Sequence, residues 1–372
     1  MSLDGPRALH DALGRPLDRY PSILIGGTNG KGSTCAFLER LIRDCGLKTG
    51  LFTSPHLNSF TERIRINGQP IHRDWLIQHS DEVLHWANNH GGSFFEAAWG
   101  LASRAFADEK VDVAIWEVGL GGRLDATNVA EPAISCITSI GLDHTQVLGS
   151  TLEEIAREKS AIFRTGRPGL SAATGPGLIA LESVAKTRFR QVNMLNSDVT
   201  LSLPGAHQHR NASLAWAAAE AFGLHPSYDS LAQVCWPGRC ELVESFVLDC
   251  AHNPHAMRAL GDWMKAEGLL GIPVIFGAME GKNHREMASI VESLTDSITL
   301  VTPDYPRRIS AQALKGFFRK PVELIDDVRD ALSRAYPRPK TLVCGSSFLI
   351  AEARAHLLSL EYPECGLRTQ AR

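Results

Sequence analysis

The run Gly26-Gly27-Thr28-Asn29-Gly30-Lys31-Gly32-Ser33-Thr34 follows the apolar Ile23-Leu24-Ile25 and leads directly into a helical pattern. A strand, a glycine-rich turn and a helix N-terminus in that order aim backbone N–H groups and a positive dipole end at an anion. Lys31 adds a mobile charge for terminal phosphates, and Ser33 or Thr34 supplies a hydroxyl for phosphate or metal. Asn29, Gly30 and Gly32 complete the cradle expected for a nucleotide. The match to GxxxxGK[ST] is imperfect, because Ile25 stands where its first glycine would be and Gly32 follows the lysine. A flexible turn is the plain alternative, but it does not require strand, glycines, lysine, hydroxyls and helix in sequence.

Such a loop needs a framework. Ser22–Thr28, Thr49–Ser54, Val111–Gly119 and Ala133–Ile140 read as strands, with Ser33–Cys45 and Phe94–Asp108 as helices between them. The alternation predicts a mainly parallel sheet covered by helices. Glu117 lies at the C-terminal end of one of these strands and His144 follows another, where α/β folds hold ligands. A second series, Phe246–Ala251, Pro273–Met279, Ser297–Pro303, Val322–Ile325 and Thr341–Cys344, alternates with segments such as the helix-like Pro254–Glu267. The Ala-rich helix Asn211–Phe222 and then Trp236-Pro237-Gly238 separate the two series, which predicts a domain carrying the phosphate loop over residues 1–237 and a smaller Rossmann-like α/β domain over 238–372. A cleft between two such domains is a usual ligand site.

Bulk composition narrows the class. At 372 residues, with 44% hydrophobic and 21% charged residues and a formal net charge of -3, the chain has the make-up of a soluble enzyme, without the basic surface that nucleic-acid binding needs. The eight cysteines (35, 45, 136, 235, 240, 250, 344 and 365) form no CxxC pair and fall mostly in apolar runs, which suggests reduced, buried thiols in the cytoplasm. The start, MSLDGPRALHDALGRPLDRY, has neither a basic n-region nor an apolar h-region, and no run reaches about 18 apolar residues, so neither export nor membrane insertion is expected.

The string Gly27–Ser33, GTNGKGS, resembles the phosphate loop of the Mur ligase superfamily, and further blocks narrow the resemblance to the folylpolyglutamate synthase/dihydrofolate synthase family. They are Thr53-Ser54-Pro55-His56-Leu57 with Glu62-Arg63-Ile64, Glu117 through Asn128 (EVGLGGRLDATN), Gly141-Leu142-Asp143-His144, Glu158-Lys159, His207-Gln208 with Asn211, Trp236-Pro237-Gly238-Arg239, and Asp249 with Ala251-His252-Asn253-Pro254. These blocks span roughly residues 22 to 285 in the family's order; beyond residue 290 the resemblance fades.

The resemblance implies a ligase that transfers the γ-phosphate of ATP to a folate-type carboxylate, dihydropteroate or a reduced folate, and lets the amine of L-glutamate displace phosphate. It also implies a monomer. Ser54 and Glu117 would hold a first magnesium with ATP phosphates, and His144 and Lys159 would belong to a second. An ammonium cannot ligate a cation; family members carbamylate the matching lysine, so the resemblance extends that modification to Lys159. Asn211, Arg239 and Asp249 match positions that contact ATP, and His252 and Asn253 lie in a block near glutamate and nucleotide. Asn253 also suits a helix cap with Pro254 at the first position. For the pterin the resemblance points to Ser93 and to Leu124-Asp125-Ala126, while Phe94, Phe95 and Trp99 offer flat faces or, at that spacing, core.

The sequence also departs from the family. Only about 21 residues precede the first strand where relatives carry a longer N-terminal helix, residues 167–204 are compact, and Gly277–His284 reads GAMEGKNH where Asp more often flanks the lysine. These departures bear on the carboxylate substrate and leave the ATP and metal positions intact. A Mur-type ligase for another carboxylate, an inactive ATP-binding protein, and an ATPase or kinase are the competing readings. Ser54, Glu117, His144, Lys159, Arg239 and Asp249 together argue against a pure binder.

Overall fold

The computed structural model describes residues 2–335, 340–361, 363 and 364. They form two compact units, one of residues up to His56, Phe60–Ser202 and His207–Cys235, the other of Leu57–Ser59, Leu203–Ala206 and Trp236 onward.

The first unit is built on eight strands: β1 (Ser22–Gly26), β2 (Thr49–Phe52), β3 (Ile64–Ile66), β4 (Gln69–Pro70), β5 (Val113–Glu117), β6 (Ile134–Ile137), β7 (Gly169–Ser171) and β8 (Arg190–Gln191). Their order across the sheet is β4-β3-β2-β5-β1-β6-β7-β8, and β2 through β8 by way of β1 run parallel, with β3 and β4 antiparallel at one edge. The central strands β1, β5 and β6 are buried along their whole length, as a parallel sheet covered on both faces requires. The helices of this unit are α1 (Asp4–Ala12), α2 (Lys31–Asp44), α3 (Arg73–His90), α4 (Phe94–Asp108), α5 (Thr145–Leu148), α6 (Leu152–Ser160), α7 (Gly175–Val184) and α8 (Ala206–Ala221). Trp99 and Trp116 are wholly buried in the core, where Phe106 packs on Trp116 at 5.1 Å between ring centroids and on Tyr20 at 6.1 Å.

The mainly parallel α/β architecture expected from the sequence is the one observed, and the expected central strands and helices fall at their observed places. The β3–β4 hairpin, α1 and α3 were not legible. Both strands of the hairpin are three residues or fewer, and α3 shows only Leu76, Val83 and Ala87 buried along 18 residues, too sparse a stripe to stand out.

The second unit carries β9 (Glu241–Val243), β10 (Phe246–Asp249), β11 (Val274–Phe276), β12 (Ile298–Leu300), β13 (Glu323–Leu324) and β14 (Thr341–Cys344), ordered β13-β12-β11-β14-β10-β9. All pairings are parallel except β9 with β10. Here α9 (Pro254–Ala266) follows β10 directly, with Asn253 as its cap. Five of the seven described cysteines are buried, and Cys365 lies outside the described residues. Among the described residues, no helix is long and apolar enough to cross a membrane.

Candidate functional site

The phosphate loop sits at the C-terminal end of β1, where Gly26 pairs with Ile137 of β6 and Ile25 with Glu117 of β5. Its shape is imposed largely by the end of β6. Thr28 N–H donates to Ser139 O at 2.8 Å and Asn29 N–H to Ser139 Oγ at 3.0 Å, while Thr138 Oγ1 donates to Asn29 O at 2.6 Å. Thr28 Oγ1 accepts from Gly141 N–H at 3.1 Å, tying the loop to the Gly-Leu-Asp-His block. Gly27 and Gly30 are the positions that admit no side chain. At φ 139° and 88° both lie in glycine's region, and a β-carbon would collide with Thr138 Oγ1 at the first and with Asn211 Oδ1 at the second. Asn211, on α8, is thus packed against the loop, oriented by a 2.9 Å bond from its Nδ2 to Gln208 Oε1.

Gly30 caps α2, so the first turn, Lys31-Gly32-Ser33-Thr34, presents its N-terminus to the loop. Ser33 Oγ and Thr34 Oγ1 are both buried without a hydrogen-bond partner. Orphaned buried hydroxyls are rare in finished structures, and two at the head of a glycine loop fit a site that an oxyanion or hydrated cation completes.

Two lysines meet at this loop. Lys31 Nζ donates to Gly27 O at 3.1 Å and to Thr28 O at 3.3 Å. Lys159, buried on α6, donates its Nζ to the same Gly27 O at 3.1 Å. Burial, then the charge of Lys31, lower the Lys159 pKa from its ordinary 10.5 to about 7, although Asp143 and Asp125 pull the other way.

On the other side of β1, Glu117 ends β5 with its side chain buried, and its Oε2 accepts the Ser54 N–H at 2.9 Å. The two residues expected to share a magnesium are therefore in contact. Among the described residues no cluster of three or more His, Cys, Asp or Glu could hold an ion. One carboxylate and a hydroxyl fit magnesium only as it is usually held, with phosphate oxygens and water filling the remaining positions. His144 stands exposed at the cap of α5 at φ 51°, its N–H donating to Asp143 Oδ1 at 2.8 Å.

Other expected site residues carry a local structural duty. Ser93 caps α4 in a reciprocal box: Glu96 N–H donates to Ser93 Oγ at 3.2 Å and Ser93 N–H to Glu96 Oε2 at 2.6 Å. Asp125 is buried and receives four donors from its own chain, Gly119 N–H at 3.0 Å, Leu120 N–H at 2.9 Å, Thr127 N–H at 3.1 Å and Thr127 Oγ1 at 2.6 Å. Burial raises its pKa against the pull of those donors. Leu124 is half-buried and Ala126 buried beside it. Phe94 is 62% exposed and meets Phe60 edge-on at 5.8 Å, Phe95 packs on Phe52, and Trp99 belongs to the core.

In the second unit, Asp249 ends β10 and accepts Cys240 N–H at 2.9 Å and Ala251 N–H at 2.8 Å. Arg239 Nη1 donates to Gly238 O at 3.0 Å. His252 Nδ1 lies 2.9 Å from Cys250 O, and Asn253 Oδ1 accepts Ala256 N–H at 2.8 Å, the cap its sequence suggested. Sequence reasoning did not single out Thr138 or Ser139, and it quoted Asp143 and Gln208 within family blocks without giving either a role. Two adjacent hydroxyls near the end of the predicted strand Ala133–Ile140 were the available signal for that first pair; the observed strand stops at Ile137.

Residues 25–173 match the Mur ligase middle domain and residues 238–346 the Mur ligase glutamate ligase domain. A Bacillus subtilis relative named dihydrofolate synthase/folylpolyglutamate synthase is 32% identical over 399 residues, covering 93% of this chain and 92% of its own. The chain belongs to the folylpolyglutamate synthase/dihydrofolate synthase family of Mur ligases. Two solved members of that family superpose closely: E. coli FolC in complex with DHPP and ADP (TM-score 0.87, 29% identity, 96% of this chain and 94% of that one) and the Yersinia pestis bifunctional enzyme with AMPPNP and Mn (TM-score 0.87, 28% identity, 96% and 94%). As a member of the family, the chain is an ATP-dependent ligase.

Two outcomes follow from the loop. Gly30→Ala should raise the KM for ATP at least about tenfold through left-handed strain and overlap with Asn211; adding Asn211→Ala should not restore it, because the strain stays. In CO2-free buffer, stability should climb from pH 7 to 10.5, the window in which the unfolded chain keeps the Lys159 proton and the folded chain has shed it. Denaturant titrations across that window should find the rise, on the order of a few kcal/mol, absent in Lys159→Met.

Proposed function

We propose that this ligase activates the carboxylate of dihydropteroate or a reduced folate with ATP and joins it to L-glutamate, acting as a monomer. The single observation that carries the reading is the pair of lysines on Gly27 O facing the helix N-terminus with its orphaned hydroxyls, one strand away from the Ser54–Glu117 contact. The Lys31 ammonium and the loop amides are supplied for phosphate on one side, and an oxygen donor set for magnesium on the other.

The chemistry asks for that combination. A carboxylate is a poor acyl donor because oxide is a poor leaving group. Its oxygen attacks the γ-phosphorus, the bond from that phosphorus to the β–γ bridging oxygen breaks, and ADP leaves; the glutamate nitrogen then attacks the acyl carbon and inorganic phosphate departs. Lys31 moves from its own loop carbonyls to the terminal phosphate, and the amides of residues 30–34 hold the phosphate chain in line. Glu117 and Ser54 would hold magnesium, which neutralises charge gathering between the phosphates and the incoming carboxylate. Arg239, with its paired donors, suits phosphate, and Asp249, Asn211, His252 and Asn253 are assigned to nucleotide and glutamate by resemblance.

Lys159 is assigned with His144 to a second metal. Its ammonium cannot ligate, but with a pKa of about 7 a large part of it is a free amine at neutral pH, the form whose nitrogen adds to CO2. A carbamate would replace the awkward second cation by an oxygen-donating anion beside Lys31.

With ATP, magnesium, L-glutamate and either dihydropteroate or tetrahydrofolate, the protein should release ADP and phosphate and form a product one glutamyl residue heavier; ATP turnover without amide would refute the reading. Lys31→Ala and Glu117→Ala should each lower kcat on the order of 10²–10³-fold or more with an unchanged melting temperature. Protein stripped of CO2 should lose activity and regain it with bicarbonate, and peptide mass analysis should find one added CO2 at Lys159. An unmodified Lys159 in fully active protein would exclude the carbamate.

A further inference from the structure

The turn after Trp236-Pro237 carries a side chain that none of these roles uses. Cys240 is 7% exposed and sits at φ 48°, the left-handed region, where a side chain is disfavoured. Glycine would adopt this backbone without strain, so the strain supports something the side chain does. Its thiol meets a carboxylate. Cys240 Sγ donates to Asp249 Oδ2 at 3.3 Å, the oxygen that also accepts the Cys240 N–H at 2.9 Å, while Ala251 N–H donates to Oδ1 at 2.8 Å. Burial first, and then the charge of Asp249, push the thiol well above its ordinary range, so it remains a protonated donor.

The turn is tied to the strand end by further bonds. Cys250 N–H donates to Gly238 O at 3.0 Å, Gly238 N–H donates to Glu241 Oε2 at 2.8 Å, and Arg354 Nε holds that same Glu241 oxygen at 2.8 Å. Arg239 lies inside this closed turn, between Gly238 and Cys240. One residue thus connects the carboxylate at the end of β10 to the backbone that presents the arginine.

We propose that Cys240 is a positioning residue for nucleotide binding: its thiol and N–H together hold the Asp249 carboxylate in one orientation and fix the turn that carries Arg239. The inference rests on the reading of Arg239 and Asp249 as nucleotide contacts. It names no new contact with substrate; it says what keeps two assigned contacts in place.

The test compares Cys240→Gly, Cys240→Ala, Cys240→Ser and Asp249→Asn by KM for ATP, kcat and melting temperature. In Cys240→Gly the relief of left-handed strain offsets part of the lost burial, so folding should be retained, and Cys240→Ala repeats the deletion with the β-carbon kept. Both should raise the KM for ATP on the order of fivefold with kcat little changed. Cys240→Ser, whose hydroxyl can donate to the same oxygen, should keep the KM near wild type. A wild-type KM in both deletions, or a rise that Cys240→Ser shares in full, overturns the proposal. Asp249→Asn separates the two levels: if it raises KM while the deletions do not, Cys240 alone is misassigned, and if it leaves KM unchanged, the reading of Asp249 has failed.

Discussion

One carbonyl oxygen, Gly27 O, accepts hydrogen bonds from the side-chain nitrogens of two lysines, Lys31 and the buried Lys159. Two like charges this close would repel and one of them is buried, so Lys159 gives up its proton far more readily than an ordinary lysine, with its pKa lowered to about 7. The loop carbonyl can face both lysines only because Gly27 adopts φ 139° against Thr138, and that contact exists only because β1 and β6 are paired in register. The loop backbone is therefore fixed in advance, before any anion arrives.

The parts of this design that were legible in the sequence are those carried by local order: strand, glycines, lysine, hydroxyls and helix appear consecutively, and so do Val111–Glu117 and the glycines after it. The family blocks brought in residues scattered along the chain, among them Asn211 and Lys159. What the sequence could not reveal is which atoms meet. Nothing in residues 138 and 139 says that their hydroxyls brace a loop about 110 positions earlier, and nothing in Lys159 says that its amine is 3.1 Å from Gly27 O. Such contacts depend on sheet order, with β5 and β6 flanking β1, and that order is not written in any one segment.

Several residues that the resemblance assigns to ligands carry a local structural duty that can be seen in the geometry. Ser93 closes a capping box, Asn253 caps α9, and Asp125 is saturated by donors from its own loop. In each case the polar side chain is already bonded within the chain. Asp125 is the sharpest instance. Its carboxylate gathers Gly119, Leu120 and Thr127, so its clearest contribution is the shape of the stretch after Glu117 rather than a charge presented to substrate.

The bracing of the phosphate loop by Thr138 and Ser139 has a consequence for how this motif travels. A loop whose form is set by its own residues is a portable cassette and can be grafted between any strand and helix. Here the hydroxyls and carbonyl that shape residues 27–29 belong to another strand. The unit that can be inherited, transplanted or recombined intact is therefore the pair of neighbouring strands with both their exits, and a match to the nine-residue string alone carries the lettering of the site without its conformation.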